Sequence, residues 1–144
     1  MSDQPVIRVL VLEDSPQDVF LLRAALAKVP WVKVEVIHAE RLSDALTLLE
    51  KHAVDLVLTD LNLPDSMGLE TVNELVGKAS GVPVVVLAGY SPPEVGKQLT
   101  KAGAAAYISK DRFDCPALSQ VVADAMQRKQ ACVKLPFIIS HEST

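Results

Sequence analysis

Cysteine is scarce in this chain. There are two, Cys115 and Cys132, and neither belongs to a Cys-x-x-Cys pair. Stability therefore does not come from a disulfide framework. Two free thiols in a reducing cytoplasm are the expected state. His38, His52 and His141 are scattered, and none stands at metal-ligand spacing from another His or Cys, so no zinc site is expected. Long apolar runs are absent. No segment reaches about 18 consecutive apolar residues, which excludes a membrane-spanning helix. Met1 to Pro5 is polar and has no apolar core of the kind a signal peptide needs. There is no basic excess either. Fourteen Lys and Arg against 18 Asp and Glu leave a net charge of −4, so no broad basic surface is available for nucleic acid. A cytoplasmic protein without direct nucleic-acid or membrane contact is expected.

What the chain does have is apolar content and rhythm. Apolar residues make up 49% of its 144 positions, enough for the core of one domain. Val6 to Leu12 is a β-branched run broken only by Arg8. Asp14-Ser15-Pro16 then offers capping side chains and a proline suited to a first helical turn, and the helix is expected to run to about Val29. Residues 32–37 begin in clean alternation, the mark of a half-exposed edge strand. Leu42, Ala45, Leu46 and Leu49 recur at amphipathic helix spacing. The same beat returns: Val54 to Thr59 as a buried strand, then a helix with Leu69, Val72 and Val76 on one face. Gly81 precedes Val82 to Leu87, another buried strand. Val95, Leu99 and Ala102 mark a helix with Gly103 placed as its C-cap. Ala105 to Ile108 is a brief strand. Leu118, Val121, Val122 and Ala125 mark a last helix.

Five strand–helix units imply an α/β fold with a parallel sheet covered on both faces. Runs that are apolar throughout belong in the centre, and the alternating and short strands at the edges. The order 2-1-3-4-5 satisfies this and is a common doubly wound arrangement. Residues 133–144, with Pro136 and the apolar Phe137-Ile138-Ile139, differ in character. They read either as a segment packed on its own domain or as the start of a linker or pairing segment.

In open α/β sheets, ligands bind outside the carboxyl ends of the strands. The first strand ends in Glu13-Asp14, the third in Asp60, the fourth in Ala88-Gly89 and the fifth in Ser109-Lys110. The first and third strands are expected neighbours, so three carboxylates converge on one crevice. They repel unless something positive offsets them. Mg²⁺ does so through carboxylate oxygens, and Lys110 adds a second cation. Such a site suits phosphoryl transfer with an Asp as nucleophile. Taken singly, an Asp after a strand is an ordinary cap or turn residue, and Asp14 fits that description. The four residues at strand ends on one edge are much harder to explain that way. A dehalogenase-type phosphatase would carry a second Asp where Asn62 stands. A nucleotide-binding fold would carry a Gly-rich turn in place of Glu13-Asp14-Ser15-Pro16.

These residues resemble those of CheY-like response-regulator receiver domains of two-component signal transduction. The resemblance runs from about Val6 to Arg128. It rests on the acidic pair Glu13 and Asp14, on Asp60 with Pro64 and Gly68 four and eight residues on, and on Lys110 closing the fifth strand. It implies a (βα)5 flavodoxin-like fold, with residues 1–130 as the receiver domain and 131–144 as a C-terminal tail or linker start. It implies that Asp60 takes a phosphoryl group from a sensor histidine kinase or phosphotransfer protein. Glu13, Asp14, Asp60 and the backbone carbonyl of Asn62 would bind Mg²⁺. Lys110 would pair with Asp60 or its phosphate, and Tyr107 matches an aromatic switch position, though it also reads as a plain edge-strand aromatic. A downstream effector protein or fused output domain, and a homodimer through helix 4, strand 5 and helix 5, are the implied partners. Receivers turn over no separate substrate, so no enzyme is expected.

The sequence departs from the family in two places. Asp111 follows Lys110 where the family often has a cis proline, so a trans bond is expected. More importantly, Ala88 stands where a Thr or Ser hydroxyl normally binds the phosphoryl oxygen. A methyl group cannot make that bond, and a hydrogen bond to a charged group contributes about 1.5–3 kcal/mol. Coupling is therefore expected to be impaired or rerouted, for instance through Ser91, and a phosphorylation-independent docking module is the alternative reading. If Ala88 weakens the switch, Ala88→Thr should enlarge the conformational response to Mg²⁺ and beryllofluoride, followed by amide chemical shifts. Equal responses in the two proteins would remove Ala88 from the argument.

Overall fold

The computed structural model describes residues 5–79, 81–88, 93–109 and 118–127. Val6–Leu12 forms β1, Pro16–Ala27 α1, Lys33–Ala39 β2, Leu42–Lys51 α2 and Leu56–Asp60 β3. A short hairpin follows at once, β4 (Asn62–Leu63) and β5 (Ser66–Met67). Then come α3 (Leu69–Lys78), β6 (Val84–Ala88), α4 (Pro93–Lys101) and β7 (Ala106–Ser109). Residues 118–127 are helical and are labelled α5.

Five strands pair in parallel in the order β2-β1-β3-β6-β7. With the hairpin set aside, this is the expected 2-1-3-4-5 order of a doubly wound sheet. Burial explains it. All five residues of β6 are buried, as are four of five in β3 and the last four of β1. Only central strands, covered on both faces, tolerate such runs. Lys33 and Glu35 of β2 are exposed between half-buried Val34 and Val36, which suits an edge. Arg8, the break in the first apolar run, lies towards the amino end of the sheet. Its guanidinium meets Glu35 at 3.2 Å, and its amide donates to the Asp55 carboxylate at 2.9 Å.

Two apolar layers flank the sheet. Ile7, Val9, Val11, Leu56, Leu58, Val85 and Leu87 pack with Leu22 and Leu26 of α1 and with Leu118, Val121, Val122 and Ala125 of α5. On the other face Leu10, Leu12 and Val57 meet Leu42 and Ala45 of α2 and Leu75 of α3. Val72 and Val86 meet Leu99 of α4.

Three local expectations change. The first helix stops at Ala27 with Lys28 as its C-cap, short of Val29. Val29 precedes Pro30, which disfavours helical backbone there, yet its side chain still joins the core. In the third helix Leu69 is 38% exposed, and Leu75 takes the inward place beside Val72. Leu69 is the first helical residue, where the chain is still turning out of the hairpin. The third strand starts at Leu56 rather than Val54, although the Asp55 amide already bonds to the Arg8 carbonyl of β1 at 2.9 Å. Gly103 closes α4 as expected, with φ +111°. A Cβ there would lie 2.9 Å from Val76 Cγ1.

The start of α2 is capped from a distance. Arg41 occupies the N-cap position but makes no side-chain cap. Instead Asp65, in the turn of the β4–β5 hairpin, accepts from the Leu42 amide at 2.8 Å and the Ser43 amide at 3.1 Å. Partial desolvation pushes the Asp65 carboxyl up, but its hydrogen bonds with the Leu42 and Ser43 amides outweigh this and hold it below 3.8. Because the folded value is the depressed one, the cap contributes fully above 3.8 and fades as pH falls through the folded value below that. Asp65→Ala should thus lower stability at neutral pH by about 1 kcal/mol, the usual cost of a lost cap. The gap from wild type should narrow in strong acid, as followed by thermal unfolding across pH.

Candidate functional site

The sheet register brings the chemistry-bearing strand ends to one edge. Leu12 pairs with Thr59, Asp60 with Leu87 and Ala88 with Ser109. Glu13 and Asp14 therefore leave β1 level with the end of β3, where Asp60 stands. Carboxylate oxygens of Glu13, Asp14 and Asp60 all lie within 4.8 Å of one another. The three differ in burial: Glu13 is 1% exposed, Asp60 is half-buried and Asp14 is exposed.

Local structure holds Glu13 and Asp60. The N-cap of α1 is Ser15, whose hydroxyl accepts from the Asp18 amide at 3.4 Å, and Pro16 opens the helix. The cap that Asp14 would supply is thus supplied by Ser15, and Asp14 joins the acidic cluster. Glu13 Oε2 accepts from the Ser15 amide at 3.1 Å, and the Glu13 amide donates to the Ala39 carbonyl at 3.0 Å. The Glu13 carbonyl lies 2.8 Å from His38 Nε2. A carbonyl only accepts, so that nitrogen carries the proton. Asp60 Oδ1 accepts from the Leu61 amide at 2.8 Å, and the Thr59 hydroxyl donates to the Asp60 carbonyl at 2.8 Å. After the hairpin, the Gly68 amide returns to the Leu61 carbonyl at 2.8 Å, and Gly68 itself adopts φ +61°. A residue with a Cβ is strained there, which accounts for glycine at this position.

The structure gives His38, which stands at no metal-ligand spacing, a definite task beside Glu13. Sequence patterning did not anticipate the hairpin or Asp65. Pro64-Asp65, a dipeptide of strong turn formers, was the available signal. Asn62 lies in β4, in register with Met67. Ala88 ends β6 and is 2% exposed. Tyr107 is half-buried and packs on the Val72, Val86, Leu99 and Ala104 cluster. Lys110, Ser91, Asp111, both cysteines and the 131–144 tail lie outside the described residues.

Unit charges 4–5 Å apart repel by roughly 4 kcal/mol at an effective dielectric constant near 20. The donor set fits a hard divalent cation. All three groups are carboxylates, and the open side toward Asp14 leaves room for the waters that Mg²⁺ keeps. Among the described residues no helix is long and apolar enough to cross a membrane.

Comparison with known proteins agrees with this geometry. Residues 9–123 match the family model for the response regulator receiver domain. The chain is 30% identical over 120 residues to the response regulator protein PilR of Pseudomonas aeruginosa, covering 83% of this chain and 26% of PilR. It is 31% identical over 125 residues to the transcriptional regulatory protein MalR of Bacillus subtilis, covering 87% of this chain and 52% of MalR. The chain thus spans a quarter to about half of these relatives. Its fold matches the signal receiver domain of NarL from Mycobacterium tuberculosis with a TM-score of 0.73 at 24% identity, covering 85% of this chain and 98% of that one. The beryllofluoride-activated receiver domain of RstA from Klebsiella pneumoniae gives 0.72 at 25% identity, covering 82% and 97%. The chain belongs to the response-regulator receiver family, a class of signalling domain in two-component systems.

Relief of carboxylate repulsion is measurable directly. Asp60→Asn should raise metal-free stability by about 1–3 kcal/mol, a part of the pairwise repulsion. Mg²⁺ should raise the Tm of wild type, and Asp60→Asn should lose most of that rise, read by thermal unfolding with and without the metal.

Proposed function

We propose that this chain is a phosphoacceptor receiver, with Asp60 taking a phosphoryl group from a phosphohistidine of a sensor kinase or phosphotransfer protein. The observation that carries the reading is the convergence of Glu13, Asp14 and Asp60 at the carboxyl edge of the sheet. On this reading residues 1–130 are the receiver and 131–144 a tail or linker start.

A carboxylate oxygen of Asp60 attacks the phosphorus. The phosphorus–nitrogen bond of the donor breaks, and its imidazole leaves. Asp60 is suited to this because the Leu61 amide holds one of its oxygens and its side chain is half-buried beside the crevice. Glu13, Asp14, Asp60 and the Asn62 carbonyl would hold Mg²⁺, which when bound offsets charge on the transferred oxygens. Lys110, one residue past β7, would pair with Asp60 or its phosphate. Tyr107 would serve as the aromatic switch element, packed beside α4, with Ala88 unable to supply the usual hydroxyl.

The named relatives are regulators, and this chain's kinase and output are inferred by that likeness. Phe20, 70% exposed on α1, offers apolar surface to a donor protein. The α4–β7–α5 face is the proposed effector or homodimer surface. A second reading, a docking module that signals without phosphorylation, is favoured by Ala88 alone.

Acetyl phosphate with Mg²⁺, followed by intact mass, separates the two. Wild type should gain the mass of one phosphoryl group, and Asp60→Asn should gain none. An unlabelled wild type, under conditions that label another receiver, favours the docking module.

A further inference from the structure

The loop after Asp60 is pinned to a helix that carries none of Glu13, Asp14 and Asp60. Two contacts do this. Leu63 of β4 is 6% exposed and joins the apolar cluster of Leu42 and Ala45 on α2. Two residues later Asp65 supplies the cap that Arg41 does not, accepting from the first two amides of α2. Pro64 and Asp65 form the turn of the hairpin, whose register sets Asn62 opposite Met67 and Leu63 opposite Ser66. Asn62 is thus three residues from a point fixed to α2 and two residues from Asp60. The Gly68 amide on the Leu61 carbonyl closes the far end of the same loop.

We infer that Asp65 is a positioning residue for the metal site: by capping α2 across the chain, it holds the Asn62 backbone beside the acidic cluster. The inference rests on the reading of Glu13, Asp14, Asp60 and the Asn62 carbonyl as the Mg²⁺ ligands. Its physical basis is order. A backbone carbonyl in a loose loop must be immobilised when it binds an ion, and that entropy opposes binding. A carbonyl already held by a capped hairpin avoids most of the loss. Groups that orient metal ligands without touching the metal commonly change affinity about 10–100-fold when removed.

A simple cap would have a different signature, and two variants, the second matched to wild type in net charge, separate the two roles. Asp65→Ala removes both the cap and the tether. Adding Arg41→Ser supplies a cap from within α2 itself, and the double variant keeps the wild-type net charge because one cation and one anion are lost together. Mg²⁺ affinity is read by amide chemical shifts during titration, and stability by Tm. Asp65→Ala should lower Tm by about 2–4 °C, the shift expected for roughly one lost cap in a domain near this size. It should weaken Mg²⁺ binding about tenfold. The Arg41→Ser/Asp65→Ala protein should regain Tm but not Mg²⁺ affinity. Wild-type affinity in Asp65→Ala, or recovery of both properties in the double variant, overturns the positioning role while leaving the receiver reading intact. A wild-type chain whose shifts do not respond to Mg²⁺ overturns both.

Discussion

Everything at the carboxyl edge of this domain follows from holding three like charges together. Glu13, Asp14 and Asp60 place oxygens within 4.8 Å of one another, an arrangement that opposes itself in the absence of a cation. The acids cannot drift apart because they are the ends of strands whose interiors are buried. β1 and β3 are neighbours through four register pairs from Val9–Leu56 to Leu12–Thr59. Sliding either strand by one residue would turn its apolar side chains to the wrong face, so core burial fixes the position of the charges. The energy that folds the sheet is what holds the three carboxylates together against their repulsion.

The remaining local structure directs those charges. Ser15 caps α1 and its amide reaches Glu13 Oε2, so one short turn serves both a helix start and a carboxylate. His38 bonds to the Glu13 carbonyl from the neighbouring edge strand. The Leu61 amide holds Asp60 Oδ1. Asp65 carries the loop beyond Asp60 to α2, and Gly68 turns it into α3. The supports come from the start of α1, from β2 and from the loop between β3 and α3, and Glu13 and Asp60 are held by different partners.

Much of this was legible in advance, for identifiable reasons. The strand order was readable because burial on two faces demands continuous apolar runs, and β3 and β6 have them while Lys33 and Glu35 mark β2 as an edge. The acidic residues were readable because each stands at a strand end in a fold where strand ends gather. Leu69 misled because periodicity counts a residue toward a helix face even in the first turn, before the helix meets the sheet. Asp14 was ambiguous for a similar reason: Asp and Ser are both good caps, and adjacent candidates cannot be ranked without the backbone. The hairpin stayed hidden because its two-residue strands are too short to show a period.

Sequence determined the class of fold and the convergence of acids at one edge, because these depend on residue type and on patterns that repeat within one element. Tertiary structure alone decided that Ser15 caps α1 in place of Asp14, that His38 supports Glu13, and that Asp65 caps a helix 22 or more residues away in the chain. Each of those is a hydrogen bond between elements distant in sequence or a choice between adjacent donors and acceptors. Such bonds depend on distances of a few ångströms, which no spacing along the chain specifies.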